Sequence, residues 1–431
     1  MKTFRIFIIL MTCAVFCQAQ NILSVEEAVQ IALKKNYDIQ ISRNEATIDK
    51  MNNTPGNAGM LPDLSLSGSK NYQLKNVHQE LSGGTASDNP NSNTSVLSAG
   101  VELGWTVFDG GKMFVTKRKL SEIKALGELQ FKEQVMQTIY DVTAAYFNIV
   151  KQKQQLNSIE QTIVYNRERV KIMQTSFNSG SVNKADYLQA KIDLNVYLEN
   201  EVNQQAVIDD AKRNLNRLLG EDIESPIEVN DSIPLGYVPD VNKLKQTLYE
   251  LNPTVLSFQK QSDISKLALE ETKRARLPRI NLNGSYIYNN TTNSDGSVRL
   301  NRYYGPQVGA SLSLPLYEGG ALNRKVNVAK MEFSSAQFQL DDIKLQLNTQ
   351  LQNALNQFET QQKLLEIETE NAGLTKENLE ISLQRLRLGQ TNSLEVHMAQ
   401  EEFVQSFTRL INFKYNLKLA EIKLKQLMGE L

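Results

Sequence analysis

Few residues in this chain stand in a pattern that does chemistry. Gly110-Gly111-Lys112 has the ending of a phosphate-binding loop, but the GxxxxGK spacing that lets backbone amides cradle a phosphate is missing. His78 reads as a loop residue and His397 as a helical one, and neither has a second ligand at metal-site spacing. Cys13 and Cys17 are the only cysteines, and both fall in a segment expected to be removed, leaving no thiol for disulfide, redox or zinc chemistry. No nucleophile has a base at a suggestive spacing. The expectation is no enzyme, no cofactor and no metal. What recurs instead is a pair of acids. Asp186 and Glu395 each stand six residues beyond a glycine, Gly180 and Gly389, where a helical pattern begins. Acids there are favoured by the helix dipole.

These glycines belong to a duplication. Residues 110–220 recur as 319–429, with a constant offset of 209 at Gly110/Gly319, Gly180/Gly389 and Gly220/Gly429. Phe108-Asp109-Gly110-Gly111 opens the first copy and Tyr317-Glu318-Gly319-Gly320 the second. Upstream, Asn36-Tyr37 matches Asn252-Pro253 and Leu61-Pro62 matches Leu277-Pro278 at an offset of 216, so the first copy has 7 extra residues, assigned to a polar loop tip.

Lys2 and Arg5, then an apolar run over residues 4–16 and the small residue Ala19, read as a secretion signal over 1–19. The run is too short to span a bilayer. Thr12 and Phe16, not small residues, precede the two cysteines, so plain cleavage is expected rather than lipidation. Without Lys2 and Arg5, 45 basic residues face 48 acidic ones, and this lack of basic excess argues against nucleic acid.

The elements that place the repeated glycines follow from period. Ser24-Val25-Glu26-Glu27 is a capping box, followed by two short helices that break at Asn36-Tyr37. From Pro62 the period becomes two. Leu64, Leu66, Gly68, Tyr72 and Leu74 alternate with polar residues, interrupted by Lys70, and Leu97, Ala99, Val101, Leu103, Trp105 and Val107 do the same. The pattern returns in Ile280, Leu282, Gly284, Tyr286 and Tyr288, then in Val308, Ala310, Leu312, Leu314 and Leu316. Each strand, about 11 residues long, has one oily and one wet face. Downstream, Val135, Val142, Ile149, Leu156, Ile163, Val170 and Phe177 lie seven apart, as do Leu351, Phe358, Leu365, Ala372, Leu379 and Leu386. A narrow seven-residue stripe means long helices winding round neighbours. The first repeat then covers 20–221, with a hairpin at about 62–108, a long helix at about 111–178 and a return helix at about 183–219. A proline-containing connector covers 222–240. The second repeat covers 241–431, with its hairpin at about 278–317 and its helices at about 320–387 and 392–428.

In hydrocarbon every backbone N–H and C=O needs a protein partner, and four strands are too few to close a barrel. Several chains must therefore share one. The order of elements, the two Gly-Gly turns and the tip motifs Phe177-Asn178-Ser179-Gly180-Ser181-Val182 and Leu386-Arg387-Leu388-Gly389-Gln390-Thr391 resemble the TolC-type outer-membrane efflux proteins, the outer membrane factors of tripartite pumps. The resemblance covers the whole mature chain. It implies a mainly α fold with membrane β-hairpins: a duplicated long-helix coiled-coil tunnel in the periplasm, joined to a trimeric 12-stranded β-barrel with four strands per chain.

The resemblance also implies a homotrimer in outer-membrane lipid. It implies passive export from an inner-membrane pump through a periplasmic adaptor, with a type I protein secretion duct as the alternative. On this reading Phe177, Gly180, Ser181, Val182, Leu188, Leu386, Gly389, Thr391 and Val396 are adaptor-docking tips, with Ser181 and Ser393 helping to cap the return helices. Asp186 and Glu395 are candidate periplasmic gate acids, and Gly110, Gly111, Gly319 and Gly320 are barrel-to-helix turns. Acids repeated round a narrow axis would attract cations and repel one another. Thr391, Leu386 and Met398 replace an arginine, a tyrosine and a second acid of the family pattern, so its gate bonds do not transfer.

Overall fold

Ser24 Oγ accepts a hydrogen bond from the Glu27 amide while the Glu27 carboxylate accepts one from the Ser24 amide, so the capping box is closed in both directions. It starts α1, Val25–Lys35, in a computed structural model that describes residues 22–80, 82–296 and 298–430. The expected signal over 1–19 lies outside the described residues. The chain forms two compact units. One holds the residues up to Asn44, 129–256 and those from Asp342 onward; the other holds Glu45–Glu128 and Ser257–Asp341.

Asn36 separates α1 from α2, Tyr37–Asn52. Its side chain does two jobs: Oδ1 caps the Ile39 amide, and Nδ2 donates to the Leu218 carbonyl at 2.8 Å. Asn252 repeats this between α5, Val241–Glu250, and α6, Pro253–Arg274. It caps Thr254 and Val255 and donates to Leu427 O at 3.0 Å. Leu218 and Leu427 close the return helices α4, Lys184–Leu219, and α8, Ser393–Met428. Gly220 and Gly429 then stop these helices in the left-handed region. A Cβ on Gly220 would press on the Lys35 carbonyl at 2.5 Å, and one on Gly429 on the Leu251 carbonyl at 3.0 Å. The two copies thus close by the same buried polar tie.

The long helices α3, Lys112–Asn178, and α7, Ala321–Arg387, are each 67 residues, and both return helices are 36, so the duplication holds at the level of whole elements. The seven-residue stripe is buried or half-buried throughout. Val142, Ile149, Leu351 and Leu379 are fully enclosed, while Val135, Leu156, Val170, Phe177 and Leu365 are half-buried. The connector over 222–240 is pinned beside the N-terminal segment. Leu23 pairs with Val229, and the Tyr146 hydroxyl donates to Leu23 O and accepts from the Asn230 amide.

In the other unit, β1 (Asp63–Glu80), β2 (Ala86–Asp109), β3 (Arg279–Asn293) and β4 (Leu300–Ser313) form one antiparallel sheet in sequence order. Residues directly opposed in such a sheet share a face. Leu64, Leu103, Gly284 and Val308 form one row; Leu66, Val101, Tyr286 and Pro306 the next; Gly68, Ala99, Tyr288 and Tyr304 a third. The expected oily positions up to Trp105 therefore meet on one face, except Leu314 and Leu316, which lie beyond the end of the fourth strand; this face lies uncovered, with Leu66 81% exposed and Val308 89%. The opposite face carries Ser65, Glu102, Ser285 and Gln307 in one row.

Four expectations change. The strands are 18, 24, 15 and 14 residues long, not about 11. The Gly/Ser/Asn-rich stretch expected as a loop is largely ladder, down to Glu80 opposite Ala86. Polar residues on both faces erase the amphipathic signal without weakening backbone pairing. Val107 sits at a bulge, so Phe108, not Val107, opposes Ile280. β4 stops at Ser313 because Pro315 cannot donate to a ladder.

Asn36→Ala and Asn252→Ala each strand a carbonyl that a buried amide now satisfies. Each should lower unfolding free energy by about 1–3 kcal/mol, measured by denaturant titration of the helical circular-dichroism signal in detergent. A change below about 0.5 kcal/mol would show that the tie contributes little.

Candidate functional site

Both helix reversals are built alike. The Gly180 amide reaches Phe177 O and the Ser181 amide Ser176 O at 2.8 Å; the Gly389 amide reaches Leu386 O and the Gln390 amide Arg385 O at 2.9 Å. This 6→1 plus 5→2 pattern needs a left-handed residue at the glycine, and φ is +75° at Gly180 and +69° at Gly389. The return helices are capped by Asn183 and Asn392, whose side chains accept from the Asp186 and Glu395 amides at 2.8 and 2.9 Å. Ser181 and Ser393 do not cap. Ser181 lies too early and pairs with the Ser179 hydroxyl, and Ser393 is already the first residue of α8.

The expected tip residues divide by burial. Leu386 and Val396 are buried with Met173, Ala190, Leu379 and Phe403, so they hold the ends together rather than face outward. Val182 packs against the same cluster, and the Phe177 ring stacks on Tyr187 at 5.9 Å. Leu188 is exposed, along with Leu388, Met398 and Leu394, the last of which the sequence reading did not single out. The two acids differ. Asp186 is exposed and forms no ion pair among the described residues. Glu395 accepts from Arg385 at 2.5 Å and from the Thr391 hydroxyl. Arg385, ten residues back on the other helix, had no period or motif to reveal it.

A polar cluster behind the tips was also missed. Arg169 on α3 is fully buried, pairs with Asp193 on α4, and lies 3.4 Å from His397 Nδ1 on α8. Gln189 donates to the other Asp193 oxygen at 2.8 Å. Nearby, Tyr197 donates to Glu401, and burial followed by that carboxylate drives its hydroxyl far above the ordinary phenol value. Glu368 on α7 accepts from Nη2 and Nε of Arg409, at 3.0 and 3.1 Å, and from the Ser406 hydroxyl at 2.5 Å. Burial pushes its carboxyl up, but Arg409 and Ser406 outweigh this and hold it below the usual range.

The strand-to-helix turns lie in the other unit. Gly110, Gly111, Gly319 and Gly320 all have positive φ. A Cβ on Gly110 would also run into Leu277, whereas those on Gly319 and Gly320 would meet open space. Asp109 then starts α3 by accepting the Met113 amide at 2.9 Å. An open groove of about 420 Å³ runs over the wet sheet face, lined by Asp63, Ser65, Glu102 and Gln307 among others. Among the described residues no helix is long and apolar enough to cross a membrane, and no three His, Cys, Asp or Glu side chains are grouped to hold a metal.

The outer membrane efflux protein family model matches residues 28–221 and 244–430. The chain belongs to the outer membrane efflux protein family. It is 22% identical over 418 residues to the alkaline protease secretion protein AprF of Pseudomonas aeruginosa, covering 95% of this chain and 85% of the relative. It is also 22% identical to the outer membrane protein TolC of Escherichia coli, with 96% and 83% covered. The fold is that of the CmeC outer membrane channel of Campylobacter jejuni, with TM-score 0.79, 17% identity and 94% and 85% covered. It equally matches VceC of Vibrio cholerae, at 0.77, 15%, 94% and 96%. The expected fold class and the outer-membrane location follow from the family, which is one of efflux proteins rather than enzymes.

Two outcomes test these polar ties. Asp193→Asn leaves the enclosed Arg169 charge uncompensated and should cost about 3 kcal/mol, while Arg169→Met with Asp193→Leu should cost much less than the sum of the single changes. Denaturation of Asp193→Asn, of Arg169→Met and Asp193→Leu singly, and of their combination reads this; additive losses would contradict it. Glu368 has a lowered folded-state pKa, so its stabilisation is complete above the unfolded value of 4.5 and disappears as pH falls below it. Glu368→Gln should flatten the fall in melting temperature between pH 5 and 3, roughly the window this linkage sets.

Proposed function

We propose that three copies of this chain close their sheets into one twelve-stranded barrel and act as the outer-membrane exit duct of a tripartite efflux system. Substrates pass passively from an inner-membrane pump, by way of a periplasmic adaptor, through the helical part and out through the barrel. The carrying observation is the four-stranded sheet itself. It has two unpaired edges, one uncovered oily face and one wet face. In hydrocarbon those edges need partners, and identical copies supply them, turning the oily faces to lipid and the wet faces to a lumen. The two repeats, 20–221 and 241–431 about the connector 222–240, each contribute one hairpin and one helix pair. The ends around Gly180 and Gly389, with Phe177, Ser181, Val182, Leu188 and Thr391, are the adaptor-docking tips. Asp186, with its unpaired carboxylate, and Glu395, held by Arg385, stand as periplasmic gate acids.

A second reading, a duct for secreted polypeptides, is favoured by the likeness to AprF, which is named for protease secretion. Identifying the pump crosslinked to the native protein separates the two. A pump that exports small molecules supports efflux, and an ATP-driven exporter beside a protein substrate supports secretion. For the tips, Leu188→Asp with Leu388→Asp should lower export at least tenfold, an effect of about 1.4 kcal/mol or more, while trimers stay in the membrane. Full export by trimers of that variant would remove the tips from the docking surface.

A further inference from the structure

The lipid-facing side of the sheet carries an unassigned ionic feature. Counting along the register, the oily rows run from Phe108, Ile280 and Leu312 up to Gly68, Ala99, Tyr288 and Tyr304. From Ile280 to Tyr288 is eight residues, about 27 Å along a strand and about 21 Å along the normal of a barrel tilted by roughly 40°. That is close to the height of an outer-membrane hydrocarbon band. The next row toward the hairpin turns is Lys70, Leu97, Asn290 and Arg302. It follows the tyrosine pair Tyr288 and Tyr304 and precedes Tyr72. Aromatic residues mark the headgroup boundary.

Lys70 and Arg302 are both exposed. By register they are the only formally charged residues on this face from Phe108 through Leu74, and they share one level. Neither forms an ion pair with a carboxylate among the described residues. Among the described residues the Arg302 guanidinium donates only through Nε, to Asn290 at 3.3 Å, and its terminal nitrogens have no protein partner there. A boundary needing only hydration is served by neutral groups such as Ser95 and Thr292 in the row above. Two cations of one sign, about 14 Å apart across the four strands, instead complement anions held at headgroup height.

We propose that Lys70 and Arg302 form a binding site for the phosphate groups of an outer-leaflet lipid. The site rests on the barrel reading above, which turns this face to lipid and the hairpin turns outward. The stems of both side chains lie along the apolar rows while their heads reach the interface. Planar Arg302 takes phosphate oxygens in pairs and Lys70 takes them as a point charge. Repeated in three copies, the row makes a collar of six cations that fixes the barrel's height in the membrane.

The test uses the purified full-length trimer in mild detergent, washed free of lipid and read by native mass spectrometry. The probes are diphosphorylated lipid A, the same lipid stripped of phosphate, and inorganic phosphate. Each cation near an anionic surface contributes roughly fivefold in affinity, so Lys70→Gln with Arg302→Gln should bind the phosphorylated lipid about 20-fold more weakly. Lys75→Gln, the same charge loss on the opposite face, should bind it as the wild type does. The stripped lipid should bind wild type no better than the double variant. Equal lipid affinity in wild type and double variant overturns the site, as does equal binding of the stripped lipid. Displacement of bound lipid by millimolar inorganic phosphate would reassign it to a free-ion site. The same spectra give the particle mass. A particle that is not three copies fails the barrel reading, whereas a three-copy particle indifferent to lipid phosphate fails this proposal alone.

Discussion

The unpaired backbone of two sheet edges governs this structure. β1 and β4 each present a row of N–H and C=O groups to no strand of their own chain. In water such an edge is a liability that charge and bulges can blunt. In hydrocarbon each unsatisfied group costs several kcal/mol, and ring closure alone abolishes the edge. The uncovered apolar rows carry the same implication: residues as exposed as Val308 and Leu66 belong in contact with lipid or with another copy. The need for partner copies therefore follows from hydrogen bonding before any helix is considered.

The helical unit answers a different demand, that of holding two copies of one device in register. The frame is kept almost unchanged. Equal helix lengths, left-handed glycines at both reversals and the Asn36 and Asn252 ties recur with the same partners. Side chains set on that frame have diverged. Among the described residues Asp186 has no ion pair where Glu395 is paired with Arg385, and in the other unit Gly110 is crowded by Leu277 where Gly319 is in the open. Backbone geometry is constrained by every neighbour at once, whereas a surface side chain answers only to its own contacts.

The same distinction explains what was legible in the sequence. Period two over Leu97 to Trp105, period seven from Val135 to Phe177 and the spacing of the glycines gave the elements and their order, because burial on one face repeats with the backbone. The extent of β1 and β2 was not legible, because residues 75–93 are polar on both faces and pairing there depends on a partner strand, not on pattern. Within the tips, the glycine turns were readable from φ requirements, but the caps were misassigned from Asn183 and Asn392 to neighbouring serines. Position relative to the first helical turn decides a cap, and sequence leaves that uncertain by a residue or two. The Arg169, Asp193 and His397 cluster joins three helices through separations of 24 and 228 residues, so no local signal marks it.

Burial within the helical unit combines apolar area with directional bonds. Around the connector apolar clusters, Val142, Tyr146, Ile149 and Leu215 in one and Leu244, Leu351 and Leu424 in another, enclose the buried polar groups Asn36, Asn216, Asn252 and Glu421. Toward the reversals a third apolar cluster around Phe403 is accompanied by Thr162, Asn166, Arg169, Glu368 and Gln400. An apolar core gains free energy with every Å² it buries, in any well-packed arrangement. A buried polar network gains little net and tolerates few geometries, since each group must keep its partner. The helical unit uses both along its length: area supplies the bulk of the free energy, and partnered ties such as Asn36 to Leu218 and Glu368 to Arg409 select one register for it.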